Sequence, residues 1–251
     1  MSAIEYQRLI LADNVRNDAF ARALEAVVKP GKSVVADIGS GTGFLSFLSL
    51  EYGAKKAYLY EANPEFLLLS KKLIKANKIT GATLVPAYSF QVESPPQADI
   101  VISETLGNYA LEENIIEILR DAQRFLKPGG IMLPQRLEQF VCPVVSDRIW
   151  HEVSSWDRIG YGLDWSAARD VSANNMYVKT LKPEELLKGA TQRWDEIDFA
   201  DPKNKSIRKA EVAWQAAKNQ TVYGFALWWV CHVYDGMLLS TAPDEPQTHW
   251  Q

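Results

Sequence analysis

The segment that most constrains this chain is Val34-Val35-Ala36-Asp37-Ile38-Gly39-Ser40-Gly41-Thr42-Gly43. An apolar strand over residues 33–38 runs into a glycine turn, and residues 44–51 read as the helix that follows. Glycines allow positive φ and close approach of the backbone to a ligand, and the helix start aims its amides there. Strand, glycine turn and helix in this order predict a doubly wound parallel sheet. The spacing Gly39, Gly41, Gly43 is one residue shorter than the G-x-G-x-x-G of dinucleotide binding. A second strand over 57–60 ends at Glu61, which is placed to hold ribose hydroxyls.

The alternation extends along the first half. Residues 9–28 read as an amphipathic helix with Leu11, Val15, Phe20, Leu24 and Val27 apolar, stopped by Pro30-Gly31. Asn63-Pro64 opens another helix, to about residue 77, with Asn as cap and Pro at the first position. Further strands are expected at 83–85, 100–103 and 131–133, with a helix over 112–126 between the last two. This predicts an α/β, Rossmann-like domain over 1–134. After Pro134 the pattern changes. Residues 137–145 and 221–239 read as β-runs, the second rich in Val, Trp and Tyr. Between them lie an irregular aromatic stretch and a charged loop over 201–209. We expect a β-rich, barrel-like domain over 135–251, interrupted by an insertion.

Composition excludes several classes. At 251 residues, 47% hydrophobic and 23% charged, the chain can bury a substantial core. The net charge of −4 is spread evenly, 14 basic against 15 acidic residues to 134 and 13 against 16 beyond. No basic stripe invites nucleic acid. The longest apolar run, 225–231, is far short of the roughly 20 residues that span a membrane. The N-terminus lacks the features of a signal peptide. Cys142 and Cys231 make neither a disulfide framework nor a metal site, which fits a reducing, cytoplasmic setting.

Five stretches carry a resemblance. The D-x-G-x-G-x-G form of 37–43 is similar to that of S-adenosylmethionine-dependent methyltransferases. Ser103-Glu104-Thr105-Leu106-Gly107 through Glu113, nine residues after Glu104, resembles the double-glutamate loop of the protein arginine methyltransferases. Ser240-Thr241-Ala242-Pro243 and Thr248-His249-Trp250 resemble that family's S-T-x-P stretch and Thr-His-Trp loop. Leu11-Ala12-Asp13-Asn14-Val15-Arg16 resembles its Met-Leu-x-Asp-x-x-Arg element. The resemblance runs from Leu9 to Trp250.

That resemblance implies an S-adenosylmethionine-dependent N-methyltransferase acting on a guanidine nitrogen of arginine, in a protein, a peptide or a small molecule. It implies that Glu104 and Glu113 hold the guanidine and that His249 and Asp13 order the site. Asp37, Gly39, Gly41, Gly43 and Glu61 would hold the cofactor, with Arg16 on its carboxylate. S-adenosylhomocysteine is the product, and methyl transfer from a sulfonium needs no metal. Where the family has an acid for the adenine amino group, Phe90 is expected to stack instead. The stretch 156–189 sits where the family carries a dimerisation arm, which implies a homodimer. The family's Tyr-Phe-x-x-Tyr helix is absent or truncated, and Ile10 and Ile115 stand where asymmetric-dimethylating members have methionines. Alternatives are methyl transfer to another small nucleophile on the same scaffold, or a non-catalytic scaffold protein.

Overall fold

Five parallel strands form the first sheet: β1 (Val34–Ile38), β2 (Lys56–Tyr60), β3 (Ala82–Val85), β4 (Ala98–Ile102) and β5 (Leu126–Leu133). Their order is β3-β2-β1-β4-β5. The computed structural model describes residues 3–215 and 218–250. β1 is central, with Asp37 in register with Leu59 of β2 and Ile102 of β4. Residues 35–38 of this strand are all buried, so the run is apolar without alternation. Parallel pairing needs crossovers. α3 (Phe44–Glu51), α4 (Pro64–Ala76) and α5 (Ile115–Ala122) supply them. The order reverses between β1 and β4, and beyond the carboxyl ends of such strands open α/β sheets bind their ligands.

Two helices precede the sheet where the sequence predicts one. α1 (Ala3–Ala12) and α2 (Asn14–Val27) are separated by Asp13. Asp13 is extended (φ −80°, ψ 94°), and its carboxylate accepts the Arg16 amide at 2.9 Å, capping α2. The apolar periodicity runs through this break and hides it. α2 buries Ala19, Phe20, Ala23, Leu24 and Val27, and packs on α3 and on the second sheet. The expected helix over 112–126 is also shorter. Asn114 is left-handed (φ 61°), so α5 begins at Ile115, and Glu113 lies in the loop before it.

The second sheet is antiparallel, in the order β7-β6-β8-β9: β6 (Arg136–Val144), β7 (Gln192–Asp198), β8 (Gly224–Tyr234) and β9 (Met237–Ser240). The single run expected over 221–239 is a hairpin. Asp235 (φ 31°) and Gly236 (φ 78°) form its two-residue turn, the conformation that matches strand twist. α6 (Asp147–Val153) and α7 (Ser166–Ala173) lie between β6 and β7. One hydrophobic core joins the sheets, with Phe20, Ile102, Trp229 and Leu239 in a single cluster.

Candidate active site

A cleft of about 330 Å³ opens where the chain leaves β1, β2 and β4. Its lining includes the glycine turn, Glu61, Glu104, Glu113, Arg16 and His249. A separate groove of about 920 Å³, beside β5 and Arg136, contains none of the predicted residues.

The turn is held open by its own backbone. Gly39 and Gly41 are left-handed (φ 72° and 54°). The amides of Gly39 and Ser40 donate to the Tyr60 carbonyl at 2.9 and 3.1 Å. Glu61 accepts the Gly41 amide at 2.8 Å and the Asn63 amide at 2.6 Å, so this acid shapes the rim of the turn. A Cβ at Gly41 would come within 3.1 Å of the Gln7 side chain, and one at Gly39 within 3.3 Å of Thr105. Gly43 (φ 88°) lies behind the cleft, where a Cβ would collide with Phe47 and Leu59. Asp37 is buried and accepts the amide and hydroxyl of Ser46, at 3.1 and 2.8 Å, tying β1 to α3. Burial pushes its carboxyl up to about 7, against the Ser46 bonds and the Arg16 charge. Phe90 is not brought into the cleft. It is 67% exposed and stacks on Tyr88, while Phe66 of α4 lines the cleft.

Glu104 leaves the end of β4, where the Ser103 hydroxyl donates to the Ile38 carbonyl at 2.8 Å. One Glu104 oxygen receives the Nε of Arg16 at 2.6 Å, and the other accepts the Leu106 amide at 3.1 Å. The side chains of Arg16 and Glu104 are only 7% and 5% exposed. Removing one member of so buried a pair strands the other charge. Glu113 lines the same cleft. Desolvation, then the negative charges of Glu104 and Glu112, hold its carboxyl above the ordinary value. The neighbouring Glu112 turns back on the loop and accepts the Tyr109 amide at 3.0 Å.

His249 comes from the far end of the chain. Its Nδ1 lies 2.8 Å from Asp13 Oδ2, which also accepts the His249 amide at 2.9 Å. Burial opposes the Asp13 charge, but bonds from Arg16 and His249 hold its carboxyl below the usual range. Asp13 therefore caps α2 with one oxygen and orients His249 with the other. Sequence reasoning missed Tyr6. This ring lines the cleft from α1, edge-on to His249 at 6.4 Å. Burial and the nearby charges of Glu113 and Glu104 raise its phenol. The available signal was Tyr6 and Ile10, one helical turn apart.

A glycine cradle, two carboxylates and a guanidinium thus share one cleft. The family described as ribosomal protein L11 methyltransferase matches residues 20–135. The family described as arginine methyltransferase oligomerization subdomain matches 138–251. Protein arginine N-methyltransferase 6 of Xenopus tropicalis is 28% identical over 265 residues, covering 100% of this chain and 77% of that protein. Histone-arginine methyltransferase CARMER of Anopheles gambiae is 26% identical over 98% of this chain. The chain spans 42% of that mosquito protein's length. The Trypanosoma brucei PRMT1 enzyme–prozyme heterotetrameric complex with AdoHcy superposes with a TM-score of 0.82 at 21% identity, over 98% of this chain and 79% of that one. Arabidopsis thaliana protein arginine methyltransferase 10 gives 0.77 at 23%, over 99% and 81%. The two structures speak to the fold alone. With the two family matches end to end and the relatives aligned across the whole length, the chain is similar along its whole length to the protein arginine methyltransferases.

Proposed function

We propose that this chain is an S-adenosylmethionine-dependent N-methyltransferase whose acceptor is a guanidine nitrogen of arginine in a protein substrate. The observation that supports this most is the meeting of Glu104 and Glu113 in one cleft with the glycine turn. The cradle suits that cofactor. Gly39 and Gly41 bring bare backbone to the cleft where a side chain would press on Thr105 or Gln7, and the buried hydroxyls of Ser40 and Thr105 have no partner among the described residues. A stranded polar group costs about 1–3 kcal/mol, which a bound polar ligand offsets. Glu61 would hold the ribose hydroxyls and Arg16 the carboxylate. When bound, the cofactor supplies an electrophilic methyl on a sulfonium.

The protein's own part is positioning and charge matching. A guanidinium is a planar fork of donors that two carboxylates can grip. Glu104 and Glu113 fix its plane, keep its charge on the gripped nitrogens and leave the remaining nitrogen free to be methylated. The cation in turn relieves the repulsion that raises Glu113. Arg16 and Glu104 form one ion pair across the two half-sites. A cofactor carboxylate at Arg16 and a guanidinium at Glu104 would exchange partners with that pair, leaving each buried charge matched. Because Glu104 holds Arg16, its loss should also weaken cofactor binding.

Glu113→Gln is therefore the cleaner test. Losing a charged hydrogen bond of about 1.5–3 kcal/mol predicts a roughly 10- to 150-fold fall in kcat/KM on arginine peptides. Calorimetric binding of S-adenosylhomocysteine should stay near wild type, whereas Glu104→Gln should impair both. Wild-type turnover in both variants would rule out the guanidine grip and favour a differently charged nucleophile.

We also propose a homodimer formed through residues 156–189. Its support is the oligomerization description of the matching family and the exposure of Tyr161, Leu163, Val171 and Met176.

A further inference from the structure

Between Glu104 and Glu113 the loop makes almost no regular structure of its own. Its own bonds are a bridge between Gly107 and Ala110, the Leu106 amide donating to Glu104, the Leu111 amide donating to the Tyr109 carbonyl, and the Tyr109 amide donating to Glu112. Yet its two ends must present carboxylates at a fixed separation. The loop is held instead by indoles, from the second sheet and from the chain that follows it. Trp250 donates its Nε1 hydrogen to the Leu106 carbonyl at 2.8 Å. Trp229 of β8 donates its own to the Asn108 carbonyl at 3.3 Å. The Tyr109 ring stacks on Trp194 of β7, with centroids 6.4 Å apart and planes 10° from parallel. Trp229 and Trp250 meet edge-on at 4.9 Å and are 1% and 3% exposed, so neither can rotate freely. Trp229 is fixed further by Thr241 of the following loop, whose amide donates to the Trp229 carbonyl at 3.1 Å.

We infer that Trp229 and Trp194, which lie outside every motif that marks the site, are positioning residues that set the Glu113 carboxylate against Glu104. This inference rests on the proposed acceptor site. The two indoles act differently. Trp229 acts through its N–H, because the indole is itself buried and gives that hydrogen to the Asn108 carbonyl. Trp194 acts through its ring face, because its own Nε1 is buried with no partner among the described residues and the ring is what meets Tyr109. A merely structural role in the core would make ring bulk decisive at both positions. The clamp instead predicts opposite responses to the same conservative change.

Trp229→Phe keeps most of the ring and removes the donor that ties the Asn108 carbonyl to the second sheet. We expect a three- to tenfold rise in KM for the acceptor or fall in kcat, as the loss of one hydrogen bond implies. S-adenosylhomocysteine affinity should remain within twofold of wild type, and amide hydrogen exchange over residues 104–113 should be faster. Trp194→Phe should be near wild type by all three measures, whereas Trp194→Ala should loosen the same segment. Exchange and cofactor binding need no acceptor. If arginine peptides prove not to be substrates, the clamp is still decided by whether exchange over 104–113 rises in Trp229→Phe. Wild-type exchange and kinetics in Trp229→Phe would overturn the inference, and so would equal damage to cofactor binding. If Trp229→Phe fails to fold, the Trp194 pair decides. Faster exchange confined to residues 104–113 in the Ala variant, with Phe unchanged, supports the clamp; exchange that rises across the whole core, or equal behaviour of Ala and Phe, overturns it.

Discussion

Asp37 sits beneath the glycine turn with its carboxyl buried, bonded to Ser46 and raised from its ordinary 3.8 to about 7. Burial is the main cause, with Glu61 adding to it and the Ser46 bonds and Arg16 opposing it. The sign follows from linkage. The native state keeps a proton that the unfolded chain releases above pH 3.8, so native stability falls as pH rises through about 7. Each pH unit between those values removes up to about 1.4 kcal/mol. Asp37→Asn keeps an oxygen to accept from Ser46 and cannot ionise. Without cofactor, its melting temperature should gain on wild type between pH 5 and pH 8. A difference that stays constant across that range would show that Asp37 is ionised in the native state. The same residue illustrates how a cofactor motif mixes roles. Asp37 joins strand to helix, Gly39 and Gly41 make room, and Glu61 pins the turn from outside.

The break between α1 and α2 depends on a single side chain. Asp13→Ala removes the cap of α2 and the partner of His249, at a cost of about 1 kcal/mol for the cap. Asp13→Asn keeps a good cap and removes only the charge facing the imidazole. Thermal denaturation should therefore place Asn near wild type and Ala below it. Equal losses would mean that the His249 contact, not the cap, sets stability here. Elements whose signals are local were legible in the sequence. The glycine turn, β1 and the Asn63-Pro64 start of α4 each announce themselves within a few residues, and the Asn63 side chain does accept the Glu65 amide. Elements fixed by distant contacts were not. β7 reads Gln-Arg-Trp-Asp-Glu-Ile-Asp, with only Ile197 fully buried, so nothing in its own polarity marks a strand. Its place comes from pairing with β6. Tyr6 and the tryptophan contacts to the 104–113 loop were hidden likewise, because they join segments far apart in the chain.

On the scale of the molecule, the cleft exists only where the two sheets share one core, since Asp13 and Arg16 precede the first sheet and His249 follows the second. The insertion after β6 contributes nothing to that core. It carries Tyr161, Val171 and Met176 at 93%, 78% and 69% exposure, within a stretch whose Trp156 and Trp165 pack on each other. Several exposed apolar side chains within one segment are what the proposed association surface requires. Specific interfaces bury roughly 800 Å² per partner, and a segment of this length can supply much of that. Light scattering should therefore give the mass of two 28.2 kDa chains at micromolar concentration. Replacing Tyr161 and Leu163 by Ser should shift the mass toward one chain while leaving the far-ultraviolet circular dichroism unchanged, because neither side chain is part of the core. A single-chain mass for the wild-type protein would end the assignment of 156–189 as a dimer arm. A dimer that survives the double Ser variant would move the interface elsewhere on the surface.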